Sequence, residues 1–143
     1  MPPTWLLIAI VTMLTLHFLF PIAWIMPPFW NLLGLMIITL GVTLNLIGDK
    51  VFQQARTTIK PFAESSALVT NGIFRISRNP MYLGFVLILT GIAVLLRSLS
   101  PYLVIFAFTI LIDRIYVRAE EGMLAEKFGI KWVAYKAKTG RWL

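Results

Sequence analysis

The chain has no cysteine and a single histidine among its 143 residues. Disulfides, zinc–thiolate sites and a cysteine nucleophile are thereby excluded, and one imidazole is too few to anchor a metal. Charge is scarce too: 13% of residues are charged against 59% apolar, and only six are acidic. An ordinary soluble domain carries about 25% charged residues, so this composition belongs in a bilayer. The signatures of soluble nucleotide enzymes are also missing, with no GxGxxG after a strand and no P-loop. A net charge of +7 would suit nucleic acid, but the basic residues gather in two segments beside apolar runs, the pattern of cytoplasmic loops. A nucleic-acid partner is rejected on that ground. The length allows one domain, residues 1–143.

Four apolar runs predict four membrane-spanning helices, at about residues 4–20, 29–47, 81–96 and 101–117. A cleaved signal peptide would open on a basic segment and close on small residues, whereas the first run opens MPPTW and closes on bulky, proline-rich sequence. His17 lies inside it without a second ionisable partner, so a structural hydrogen bond to another helix is expected. On the second run Gly34, Gly41 and Gly48 recur every seven residues, and Gly84 and Gly91 repeat the device on the third. Seven residues are close to two helical turns, so each set forms a stripe of small residues, and the second and third helices are expected to approach closely. Asn45, one turn beyond Gly41, is expected to hydrogen-bond between helices.

Between the second and third runs lies a long polar stretch, Asp49 to Asn79, holding Lys50, Arg56, Lys60, Arg75 and Arg78 against Asp49 and Glu64. Pro61 interrupts any continuous helix in it and Asn71-Gly72 marks a turn. A surface loop is predicted, of the length often used for lids, with Phe52, Phe62, Leu68 and Phe74 dipping into the membrane interface. The fourth helix starts at Pro101 and meets no stop signal before Gly129, so it is expected to leave the membrane and continue into the cytosol. Beyond it, IKWVAYKAKTGRWL reads as a short surface helix with Trp132 and Tyr135 anchored among headgroups. Placing both basic segments in the cytoplasm gives four spans with both termini cytosolic. The starts of helix three and the exit of helix four then share one leaflet.

That end of the bundle concentrates the chemistry. In NGIFRISRNPMYLG, residues 71–84, Asn79 is a good N-cap and Pro80 suits the first helical position. The helix start leaves N–H donors open beside Arg75 and Arg78, a setting for an anionic group. On helix four, Arg114, Arg118 and Glu121 share one face, while Asp113, Val117 and Glu120 share a neighbouring one. A plain salt bridge from Arg118 to Glu121 is the simplest use of these charges. Ionisable residues at a membrane exit nevertheless commonly mark a functional site.

Gly72, Arg75, Arg78, Pro80, Tyr82 and Gly84, followed one helical hairpin later by Glu120, Glu121, Phe128, Gly129 and Tyr135, resemble the membrane methyltransferase family of isoprenylcysteine carboxyl and phospholipid N-methyltransferases. The resemblance runs from about Thr57 onward. It implies an all-helical membrane bundle that uses S-adenosylmethionine and methylates a lipophilic acceptor, in the cell membrane of a bacterium or archaeon. It further implies cofactor binding by Arg75, Arg78, Asn79, Pro80, Tyr82, Leu83, Glu120 and Glu121, with Glu121 and Arg118 catalytic and no metal. Asn79 departs from the family, where histidine is common at that place. Two other readings stay open: a sterol-type reductase using NADPH, and a noncatalytic subunit whose glycine stripes pack on a partner.

Overall fold

The computed structural model describes residues 2–25, 27, 29–56 and 66–143, and among them every regular element is helical. Helix α1 is Pro2–Leu19; a 3-10 turn, Trp30–Leu32, leads into α2, Leu33–Gln54; a second 3-10 turn, Gly72–Arg75, precedes α3, Pro80–Leu96. Helix α4, Ser100–Ile112, runs through a π-helical segment, Asp113–Val117, into α5, Arg118–Phe128, and α6 is Ile130–Lys138. The stretches Pro2–Leu19, Trp30–Gln54 and Ser100–Phe128 are long and apolar enough to cross a membrane, and α3 is an apolar helix of 17 residues. Leu7, Phe18, Met36, Leu46, Leu103 and Phe106 lie exposed along these helices, as expected where lipid is the solvent.

The glycine stripes work as their spacing predicts. A Cβ on Gly41 would lie 2.6 Å from the carbonyl oxygen of Gly84, and one on Gly34 would run into the carbonyl oxygen of Gly91. The two backbones are in contact, so α2 and α3 cannot accept a methyl group at these crossings. Asn45 presses against Gly84 in the same interface, but its amide donates to Gly41 O of its own helix, at 3.0 Å. The expected interhelical bond is not made, and Asn45 Oδ1 is buried without a partner.

On the other side of α3, the core is built from α1, α3, α4 and the π segment. Met13, Leu89, Ile112 and Val117 are fully buried there, with Ala9, Tyr82, Ala93, Phe108 and Tyr116 around them. At the end opposite the candidate site, Ile25 N–H donates to Arg97 O and Leu99 N–H to Ala23 O, tying the two connections together. His17 Nδ1 lies 2.7 Å from Ser98 Oγ, a structural hydrogen bond as expected, made to the turn between α3 and α4 and not to another helix.

Three expectations need correction. Helix α2 continues six residues into the polar stretch, to Gln54, where Gln53 bonds Asp49 at 2.9 Å. Lys60, Pro61, Phe62 and Glu64 lie outside the described residues. Phe74 is buried and packs edge-on against Phe52, with ring centroids 5.2 Å apart, instead of dipping into the interface. Finally, α6 does not lay its aromatics on the membrane surface. Trp132 and Tyr135 are 4% and 9% exposed and face the protein, while Ile130, Val133 and the lysines face out.

Candidate active site

The site is built where α3 begins. Pro80 takes the first helical position, as its fixed φ and missing N–H favour. Asn79 precedes it but does not cap with its side chain; its own N–H is instead accepted by Ser77 Oγ at 3.1 Å. This frees the Asn79 amide to donate to Arg141 O at 3.2 Å, beside Ser77 Oγ, which donates to the same oxygen at 3.3 Å. Arg78 N–H donates to Gly140 O at 3.0 Å. Residues 139–142 therefore form a strap laid across residues 77–79.

The long fourth helix supplies the acids. In an unbroken α-helix, positions 113 and 121 would sit about 80° apart. The π segment takes up one extra residue, so the eight steps count as seven, close to two turns, and both side chains come to one face. Arg141 meets them there: Nη1 is 3.3 Å from Asp113 Oδ1 and Nη2 is 2.7 Å from Glu121 Oε2. The remaining oxygen of Asp113 takes Arg118 Nε at 3.2 Å. The contact with Glu121 raises the Arg141 pKa still further.

Arg78 closes the cluster from the α3 side. Its Nη2 is 3.0 Å from Glu121 Oε1, and the two side chains are 7% and 10% exposed. The guanidinium stacks on Trp132, 5.5 Å from the ring centroid. Although the charges are in contact, neither Arg78 Nε nor Glu121 Oε1 has an aligned hydrogen-bond partner. One residue before Glu121, Glu120 Oε1 accepts from Tyr82 Oη at 2.6 Å. Tyr82 lies near Tyr116, whose hydroxyl accepts from Trp5 Nε1 at 3.1 Å. Tyr135 supports the floor by donating to Phe74 O at 2.6 Å, and burial pushes its hydroxyl up to about 12 against the pull of Arg78.

A family model described as phospholipid methyltransferase matches residues 29–131, well over half of the chain. The chain belongs to the phospholipid methyltransferase family. Its fold is similar to that of a eukaryotic intramembrane Ras methyltransferase, an isoprenylcysteine carboxyl methyltransferase, with a TM-score of 0.69 at 23% identity. That likeness covers 99% of this chain but 51% of the larger protein, so the chain spans about half the length of that structure. No curated protein matches the chain.

Within this phospholipid methyltransferase family member, the predicted residues separate into two groups. Arg78, Asn79, Tyr82, Glu120 and Glu121 are brought together, joined across the hairpin by the Arg78–Glu121 and Tyr82–Glu120 contacts. Pro80 is buried at the helix start and Leu83 N–H bonds Asn79 O, so both shape the backbone. Arg75 is exposed and contributes its carbonyl, which accepts from Thr139 Oγ1 at 3.5 Å. Arg118 pairs with Asp113 and its side chain is 52% exposed; the expected Arg118–Glu121 bridge is replaced by two others. Arg141 and Ser77 were not singled out by the sequence pattern; Asp113 was placed only on a neighbouring face of helix four, and Trp132 was read as a headgroup anchor. Of these, Trp132 and Arg141 lie beyond the matched residues.

Proposed function

We propose that this chain is an integral membrane enzyme that transfers the methyl group of S-adenosylmethionine to a lipophilic acceptor, with α3 as a fourth span and the site at the cytosolic face. The observation that carries the proposal is the buried Arg78–Glu121 pair, in which Arg78 Nε–H has no hydrogen-bond partner and Glu121 Oε1 meets Arg78 Nη2 at 3.0 Å without an aligned hydrogen bond. Leaving a buried donor such as Arg78 Nε–H unpaired costs about 1–3 kcal/mol, and that donor beside a carboxylate oxygen with room for a further bond suits a ligand bearing both signs of charge. The amino-acid end of S-adenosylmethionine has a carboxylate and an ammonium, so the residues present fit it. Arg78 Nε–H would hold the carboxylate and Glu121 the ammonium.

When bound, the cofactor supplies an electrophilic methyl group, and the protein supplies orientation. A carboxylate acceptor needs no base, whereas an amine must lose a proton. Glu121 is engaged by two guanidiniums, so Glu120, which accepts from the Tyr82 hydroxyl, is better placed to take that proton than Glu121. The glycine stripes no longer favour a noncatalytic subunit, because α2 and α3 use them on each other.

Isothermal titration of S-adenosylmethionine and, separately, NADPH into the detergent-purified protein tests the proposal. Saturable binding of S-adenosylmethionine is expected, lost in Glu121→Gln while the helical circular dichroism is retained. Binding of NADPH alone would replace the proposal with a reductase, and binding of neither to folded protein would replace it with a noncatalytic role.

A further inference from the structure

We propose that Arg141 is a positioning residue of this site: it holds Glu121 by Oε2 so that the other carboxylate oxygen stays turned toward Arg78 and the ligand, meeting Arg78 through Nη2 alone and leaving Arg78 Nε free for the ligand. The inference rests on the methyltransferase reading above, and concerns a residue to which neither the family match nor the sequence motifs extend. Arg141 is fixed at both ends. Its carbonyl accepts from Ser77 Oγ and the Asn79 amide, and the preceding residue accepts from Arg78 N–H. Its guanidinium spans Asp113 and Glu121, at 3.3 and 2.7 Å. A planar fork can hold two carboxylates in one orientation, which a lysine ammonium on a flexible stem does not.

The consequence falls on Glu121. With Oε2 committed to Arg141, the approach of Arg78 Nη2 to Oε1 stays single and leaves Arg78 Nε unbonded. Without Arg141, the Glu121 carboxylate is free to turn and meet Arg78 fork to fork, the geometry the two groups prefer. That rearrangement would satisfy Arg78 Nε and Glu121 Oε1 with each other. The groups open to an amino-acid headgroup would then be closed by the protein itself. Gly140 permits the strap's path, since a Cβ there would collide with the carbonyl of Leu143.

The test compares wild type, Arg141→Lys and Arg141→Ala in detergent, measuring S-adenosylmethionine affinity by calorimetry and thermal melting in parallel. Both variants are expected to bind about tenfold or more weakly, the size of one charged hydrogen bond. Millimolar guanidinium is expected to restore much of the affinity to Arg141→Ala, and the melting temperature is not expected to follow the loss. If Arg141→Ala does not fold, Arg141→Lys decides the matter. Wild-type affinity in the lysine variant, or a loss in Arg141→Ala that guanidinium does not rescue, overturns the proposal. A wild-type protein that binds no S-adenosylmethionine instead overturns the methyltransferase reading on which it rests.

Discussion

Arg78 holds three relationships at once: an ion pair with Glu121, a stack on Trp132, and a backbone bond to Gly140. Only the first and last survive replacement by lysine, which keeps the charge but loses Nε and the planar face. Arg78→Lys is therefore expected to weaken S-adenosylmethionine binding about tenfold or more while lowering stability by no more than about 1–2 kcal/mol. Calorimetric titration beside a chemical-denaturation curve checks both, and unchanged affinity would remove Nε from the site. Tyr82 was legible only through the family resemblance, whereas Arg78, Glu120 and Glu121 were legible in the sequence because they crowd a helix start and a membrane exit, where charge is costly without a use. Arg141 was not. Its partners lie 20 and 28 residues away, and no spacing rule connects a strap after one helix to the face of another.

The same division appears among the elements. A seven-residue glycine repeat fixes one helix face whatever the tertiary context, so the α2–α3 contact could be read in advance. The π segment could not, because DRIYV carries no mark that distinguishes it from ordinary helix. Helix α6 was misplaced for a different reason: two aromatics on one face look the same whether that face meets headgroups or protein. The glycines allow a graded test. Gly41→Ala must push apart two backbones and is expected to cost about 1–3 kcal/mol. Gly48→Ala meets the flexible Met81 side chain, at 2.6 Å, and should cost less. Gly122, in α5, has nothing within 4 Å of an added Cβ; alanine there should stabilise by about 0.5–1 kcal/mol through helix propensity. Unfolding titrations of the three variants check this order, and equal costs at Gly41 and Gly48 would contradict backbone contact as the cause.

For the molecule as a whole, the open quantity is the number of crossings. Three helical stretches are long and apolar enough to span, and α3 has 17 residues. Seventeen residues rise about 26 Å, a little under the thickness of a typical hydrocarbon core, and modest thinning of the bilayer accommodates such a mismatch. The charge pattern predicts a fourth crossing: without it, the basic segments before α3 and after α4 would face opposite sides. The absence of cysteine makes the test direct, since any single-cysteine variant reports alone. Lys50→Cys and Lys138→Cys, both exposed, should react with a membrane-impermeant maleimide from the cytosolic side. Leu99→Cys, in the turn between α3 and α4 and 42% exposed, should react only from the opposite side. Labelling of all three from the cytosolic side would mean that α3 and α4 enter and return as a hairpin. The Arg78–Glu121 site would then no longer lie at the ends of two crossing helices, and a lipid acceptor would have to reach it from the surface.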